Sequence, residues 1–270
     1  MRILISVDME GISGVVLGEQ TRSSDKEYER FRKLMTAEAN AAIEGALAGG
    51  ATEVIVNDSH GRMVNILIEE LNPAAQLISG SPKPHYMMQG IGSDVDGVFL
   101  VGYHAASGTG GAILEHTSRG HLVEVWLNGQ QVGETGLNAA VAGSFGVPVL
   151  LVTGDRAVTQ EAEALLGPIE TVAVKEGISR SAARCLHPEV TRPLIREAAQ
   201  RALSLSVAPF VVPPPITLRI VFLRAVHADV SELVPGCQRV DGRTVEWEGD
   251  DMETVYSVFR AMVTLAAAAG

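Results

Sequence analysis

Two carboxylates one residue apart, Asp8 and Glu10, follow the apolar run Ile3-Leu4-Ile5-Ser6-Val7 near the start of the chain. Side chains alternate along a strand, so residues i and i+2 share a face. The two acids are therefore expected side by side at the end of a buried strand, where like charges repel and raise each other's pKa. A bound cation would remove that repulsion. Groups of matching chemistry follow the later apolar runs: His60 in Asn57-Asp58-Ser59-His60-Gly61, then His104 in Gly102-Tyr103-His104-Ala105. His116 comes shortly after the glycine-rich stretch 107–112, and Glu134 lies in Val132-Gly133-Glu134-Thr135-Gly136. A single histidine after a strand is more often a loop residue than a ligand, and a glutamate at a helix start is favoured by the helix dipole alone. It is the recurrence of acids and imidazoles at successive strand ends that points to metal binding. Oxygen and nitrogen donors in this mix suit zinc, with manganese or cobalt as substitutes.

The elements that must carry these residues read as an α/β fold: a mostly parallel sheet with helices on both faces, plus a smaller C-terminal α+β portion. Residues 2–8, 53–58, 97–104 and 147–155 read as strands. Between the first two, Phe31, Leu34, Met35, Ala39, Ile43 and Leu47 recur at helical spacing up to the stop at Gly49-Gly50. Residues 121–134 read as a hairpin turning at Asn128-Gly129, followed by a helix to about Gly146. A helix over 188–205 precedes the proline-rich segment 209–215; a strand from Thr217 and an amphipathic helix from about Asp251 close the chain. Two domains are expected, an α/β metal-binding catalytic domain over 1–208 and a strand–helix portion over 209–270. Ligands of open parallel sheets bind beyond the carboxyl ends of the strands, which is where Asp8, His60 and His104 fall.

Composition narrows the function classes. The chain has 270 residues, 46% of them hydrophobic, enough for a substantial core, and a formal net charge of -11. An acidic chain without a Lys/Arg cluster does not suit nucleic acid. Cys185 and Cys237 stand far apart and outside any CxxC pair, which excludes a zinc knuckle or disulfide framework. The N-terminal apolar run is too short for a signal peptide, and no stretch reaches the ~18–20 apolar residues of a membrane helix. A cytoplasmic protein with no membrane partner is the expectation. Residues 107–112 lack the spacing of a phosphate-binding loop and read as a flexible loop carrying His116 over the site. His121 falls on the hairpin. His85, His187 and His227 lie in segments without a matching acid and read as structural or surface residues.

The motifs SVDMEGISG, VNDSHG, SGSPKP, GYHA, EHTS, VGETGLNAAVAG and VPVLLVTGD, in this order from residue 3 to about residue 185, through VKEGISRSAA, together resemble the DppA-type D-aminopeptidase family of binuclear-zinc metallopeptidases. The resemblance is weaker after the proline-rich segment. It implies that Asp8, Glu10, His60, His104 and Glu134 are metal ligands and that His116 is the catalytic histidine. It further implies two zinc ions per subunit, an aminopeptidase acting on short peptides with an N-terminal D-residue, and a ring-shaped homo-oligomer, a decamer of two stacked pentamers. Five ligands cannot supply three to each of two ions, so one carboxylate must bridge, Asp8 or Glu10. Two such ions would bring a shared water's pKa toward ~7 and polarise the scissile carbonyl. Two other readings stand beside this one: a dinuclear hydrolase of a non-peptide amide or phosphoester, and a non-catalytic nucleotide-binding α/β module.

Overall fold

A computed structural model describes residues 1–269 of the chain. The elements in order are β1 (Arg2–Val7), α1 (Tyr28–Ala48), β2 (Glu53–Asp58), β3 (Ala75–Ile78), β4 (Gly97–Tyr103), β5 (Leu122–Leu127), β6 (Gln130–Gln131), α2 (Glu134–Ser144) and β7 (Val149–Asp155). They continue with α3 (Arg156–Leu166), β8 (Glu170–Ser179), β9 (Ala182–Cys185), α4 (Pro188–Ala202), β10 (Ile216–Phe222), α5 (Ala225–Ser231), β11 (Gln238–Arg239), β12 (Thr244–Gly249) and α6 (Met252–Ala268). A seven-stranded sheet has the order β3-β2-β1-β4-β7-β8-β9. All its neighbours pair in parallel except β9, which closes one edge antiparallel to β8. This is the expected α/β class.

Parallel strands buried on both faces read as nearly continuous apolar runs, and β1 shows why. Ile3, Ile5 and Val7 enter one core with Phe31, Met35 and Ile43 of α1 and Ile195 and Ala199 of α4. Leu4 enters the other core, with Leu137 of α2, Val125 of β5, Ile220 of β10 and Phe259 of α6. Helix α1 ends against Gly49 as its sequence predicts, and Asp251 caps α6 by accepting from Thr254 N at 2.7 Å. Segments 75–78 and 156–185, which carry no strong sequence signal, supply β3, α3, β8 and β9.

A second, antiparallel sheet has the order β11-β12-β10-β5-β6. Its β5–β6 hairpin turns at Asn128 (φ 48°) and Gly129 (φ 79°), the two left-handed positions that a two-residue hairpin loop demands. Strand β10 pairs with β5 as well as with β12. The hairpin before the proline-rich segment and the strands after it therefore form one sheet. Among the described residues no helix is long and apolar enough to cross a membrane.

Candidate active site

The strand order reverses between β1 and β4: from β1 the chain crosses to β2 on one side and later returns as β4 on the other. Such a switch point leaves a crevice beyond the strand ends. Asp8 follows β1, His60 follows β2, His104 follows β4, and Glu134 is the first residue of α2. The backbones crowd closely here. Gly11 N donates to Gly102 O at 2.8 Å, and a Cβ on Gly11 would collide with the carbonyls of Gly102 and Tyr103. Gly102, at φ +72°, would collide with Asp8 O in the same way. These two contacts explain the glycines of the SVDMEGISG and GYHA motifs at positions 11 and 102.

Strand β1 stops at Val7, so Asp8 and Glu10 do not share a pleat as the alternation of a strand predicts; Glu10 lies in the turn that follows. The turn nonetheless carries it to the same cavity. Lys175 Nζ, buried on β8, donates to the carbonyls of Glu10, Ile12 (3.0 Å) and Val15 (2.6 Å). Glu38 of α1 accepts from Ser13 N at 3.0 Å, and Ser13 Oγ donates to Leu186 O at 2.7 Å. Burial brings Lys175 down to about 8 despite Asp155 nearby, and burial pushes the Glu38 carboxyl up to about 7. Glu38 had no signal in the sequence, and Lys175 stands in the segment VKEGISRSAA without a local sign of its role, because the partners of both lie on other elements.

The structure brings all six sequence-predicted side chains together. His60 Nδ1 lies 3.1 Å from Asp8 Oδ1, with which it is hydrogen-bonded, and 2.9 Å from Glu10 Oε2 without hydrogen-bond alignment. His104 Nε2 lies 3.4 Å from Asp8 Oδ2 and 3.5 Å from Glu134 Oε1. His116 Nε2 is 3.6 Å from the same Glu134 oxygen, and its ring stacks on that of His104 at 4.0 Å. A cavity of about 310 Å³ opens here, with Asp8, Glu10, His60, His116 and Glu134 in its wall. Beneath it His104 is only 1% exposed. A wider groove of about 460 Å³ between α1 and α4 is lined by Glu44, Glu189, Arg192 and Arg196 and brings together no ligand-type cluster.

The donor set fits a metal. Glu10 Oε2 and His104 Nε2 are buried without a hydrogen-bond partner among the described residues, a costly state unless something else satisfies them. Each imidazole has one nitrogen against a backbone carbonyl: His60 Nε2 on Thr21 O (3.0 Å), His104 Nδ1 on Ala105 O (3.1 Å) and His116 Nδ1 on Leu114 O (2.9 Å). The other nitrogen then faces the carboxylates, as in metal-ligating histidines. Two overlapping groups, Asp8/Glu10/His104 and His104/His116/Glu134, each offer ligand atoms within 4.8 Å of one another.

Electrostatics agree. Burial would push Glu10 up, but His60, His116 and His104 hold it well below the usual carboxylate range. Burial acts the same way on Glu134, which His104, His116 and the Ser118 N–H (2.7 Å) draw down to about 2. Burial would push His60 and His104 down; instead Glu10 and Asp8 raise His60, and Glu134 and Asp8 raise His104, both well above the ordinary imidazole value. Without a metal the acids thus favour the protonated forms of His60 and His104, a role a dication would take over.

Leu114 (φ 52°) and Ser118 (φ 61°), both left-handed, bracket His116. Such strain persists only where surroundings impose it: Leu114 N donates to Arg180 O at 2.9 Å, and Ser118 N to Glu134. The remaining histidines lie elsewhere. His85 does have an acidic partner, Glu253 at 3.2 Å, supplied by α6 rather than by its own segment. His187 caps α4 by accepting from Glu189 N, and His227 packs beside His121 at 5.0 Å.

The family model for D-aminopeptidase, peptidase family M55, matches residues 1–261. The D-aminopeptidase of Bacillus subtilis (strain 168) is 41% identical over 269 residues, covering 98% of each chain. A solved structure, described as the "Zn-dependent D-aminopeptidase DppA from Bacillus subtilis, a self-compartmentalizing protease", matches with a TM-score of 0.97 at 40% identity, over 99% of this chain and 98% of that one. In sequence and in fold, along nearly its whole length, this chain belongs to the D-aminopeptidase family of M55 peptidases.

Proposed function

We propose that the chain is a zinc-dependent aminopeptidase that releases N-terminal D-residues from short peptides. The ligands are Asp8, Glu10, His60, His104 and Glu134, to two zinc ions per subunit, and the catalytic group is His116. The observation that carries this reading is the convergence of these six side chains at the sheet's switch point, with Glu10 Oε2 and His104 Nε2 buried and unpartnered. Zinc bound there supplies a Lewis acid for the scissile carbonyl and a water acidic enough to act at neutral pH.

This chain's residues do the rest. Asp8 turns Oδ1 toward His60 and Oδ2 toward His104, so its carboxylate faces both halves of the ligand set. Were two ions bound, Asp8 would be better placed than Glu10 to be shared between them. His116 is the most open of the three imidazoles, its side chain 24% exposed against 14% for His60 and 1% for His104. With Nδ1–H on the Leu114 carbonyl, its Nε2 can take a proton from the attacking water and then hand that proton to the leaving amine or, as imidazolium, stabilise developing oxyanion charge. A substrate's free amine, in its unprotonated form, would be held at the metal site, which would account for action at the N-terminus.

The test is a stereochemically paired panel of aminoacyl amides and dipeptides, free and N-acetylated, with elemental analysis of protein never exposed to chelator. Two zinc ions per chain and cleavage restricted to free-amine D-substrates are expected. Absence of any transition metal defeats the reading. A preference for L-residues defeats only its stereochemistry.

The assembly proposed is a homo-oligomer, a decamer of two pentameric rings, in the cytoplasm. Its support is the relative described as self-compartmentalizing, together with the exposed Ile68, Ile178 and Leu233 at 68%, 75% and 73%.

A further inference from the structure

Each segment that delivers a candidate ligand also delivers a buried polar side chain that does not face the cavity as a ligand. Ser6 stands two residues before Asp8. Asn57 and Ser59 precede His60, Tyr103 precedes His104, and Asn138 lies one helical turn after Glu134. All five are at most 2% exposed. They are hydrogen-bonded to one another, and the line they form continues into the C-terminal helix α6.

Tyr256 of α6 donates to Asn138 Oδ1 at 3.2 Å, and Asn138 Nδ2 donates to Tyr103 Oη at 2.9 Å. Tyr103 Oη and Ser6 Oγ are 2.7 Å apart, and Ser6 Oγ donates to Met87 O at 2.7 Å. A hydroxyl has one proton to give. With that of Ser6 on the Met87 carbonyl, Tyr103 must donate to Ser6 while accepting from Asn138. The line therefore has one direction, from α6 to the cavity wall at Met87. At its end Ser59 Oγ lies 2.7 Å from Ser6 Oγ, and Asn57 Nδ2 donates to Ser59 Oγ (3.0 Å) and to Met87 O (2.8 Å). The apolar core around this line includes Leu4, Leu137 and Phe259. Apolar side chains could fill such a layer without any polar group to satisfy, but they do not fix the relative height of packed elements as directional bonds do. Burial raises the pKa of Tyr103 and Tyr256 above the ordinary phenol value, so both keep the proton they donate.

We propose that this buried line is a positioning network. It holds the ends of β1, β2 and β4 and the start of α2 at the separations at which Asp8, His60, His104 and Glu134 share one metal site, and Tyr256 couples those separations to the C-terminal helix. The inference rests on the reading of these side chains as zinc ligands. It assigns a role to the serine, asparagine and tyrosine of the sequence motifs, and to a C-terminal portion that contributes no ligand.

Tyr103→Phe and Tyr256→Phe each remove one hydroxyl and keep the ring. Zinc affinity is measured by competition with a chromophoric chelator, on protein shown to be folded by near-ultraviolet circular dichroism. Thermal unfolding of the metal-free protein runs in parallel. Tyr103→Phe is expected to weaken zinc binding about 10–100-fold, the effect of losing a group that orients ligands. Tyr256→Phe, further along the line, should weaken it about 3–10-fold. At saturating zinc, kcat should fall in both with KM unchanged, and the double variant should be no worse than Tyr103→Phe alone. If both single variants bind zinc as the parent does while the metal-free Tm falls, the network serves the fold only and the proposal is overturned. Should Tyr103→Phe fail to fold, Tyr256→Phe decides by the same criterion. A parent protein that binds no zinc overturns the ligand reading itself, a result distinct from unchanged affinity in the variants.

Discussion

At the scale of single residues, the roles assigned here separate by experiment. Removing Glu10 or His104 strips a ligand from a buried donor set, so Glu10→Ala and His104→Ala should lower zinc content and activity together. His116→Ala should keep its zinc, by elemental analysis, and lose about 10²–10⁴-fold in kcat, the range of a positioned proton-transfer group. If that variant instead loses metal, His116 belongs with His104 and Glu134 as a ligand. Proton competition gives a second prediction. The acids raise His60 and His104 above the ordinary imidazole value, so zinc must displace protons from them and its affinity should fall as pH drops through and below neutrality. Calorimetry in two buffers of different ionisation enthalpy should report proton release on binding. For the metal-free protein the sign reverses. Imidazoles with raised folded pKa values contribute stability that is fully present below the unfolded value near 6.5 and lost as pH rises through the folded values. Thermal scans of chelator-treated protein should accordingly show Tm falling as pH rises through that window, while the zinc-loaded protein gains stability there.

At the scale of elements, the turn after β1 is the least self-sufficient part of the site. Its carbonyls at Glu10, Ile12 and Val15 converge on the one ammonium of Lys175, and its Ser13 amide on Glu38. Replacing Lys175 by Met fills the space but leaves the buried carbonyls of Glu10 and Val15 unpartnered, while Ile12 O keeps the amide of Val15 at 3.1 Å. Each orphaned buried polar group costs about 1–3 kcal/mol, so Lys175→Met should destabilise by about 2 kcal/mol or more, read as a lower urea midpoint at unchanged m-value. Weaker zinc binding should accompany it, because Glu10 rides on that turn. The parallel strands are less exposed to such losses: β1 is hydrogen-bonded on both sides and buried on both faces.

At the scale of the whole molecule, zinc and assembly should both appear as stability. On the proposed reading, zinc would bind the folded state through side chains that follow β1, β2 and β4 and open α2, a set the unfolded chain cannot present together. Its removal should lower Tm, and readdition should restore it in a concentration-dependent way. A ring would bury exposed apolar residues such as Ile178 and Leu233 and, being closed, would not grow into filaments. Light scattering coupled to size exclusion should return a mass near ten chains at micromolar concentration, and a monomer mass would sink the ring. An enclosed site should also leave a large unfolded protein nearly undigested while short peptides turn over.

The structure legible along the chain alone is local. The apolar runs made β1, β2, β4 and β7 legible, Gly49 and Asp251 marked helix ends, and Asn128-Gly129 marked a hairpin, because each signal lies within a few residues of the feature it specifies. The six candidate site residues were legible for a similar reason: each stands just after a strand, or at a loop or helix start, in a short motif. Tertiary structure decided how they meet. Asp8 and Glu10 converge through a turn held by Lys175 and Glu38 from distant elements, not through the pleat of one strand. The glycines at 11 and 102 owe their place to a backbone crossing between β1 and β4. The line from Ser6 to Tyr256 spans 250 residues of sequence, and no local pattern encodes it, because a hydrogen bond between elements is specified only when both partners have been brought within about 3 Å.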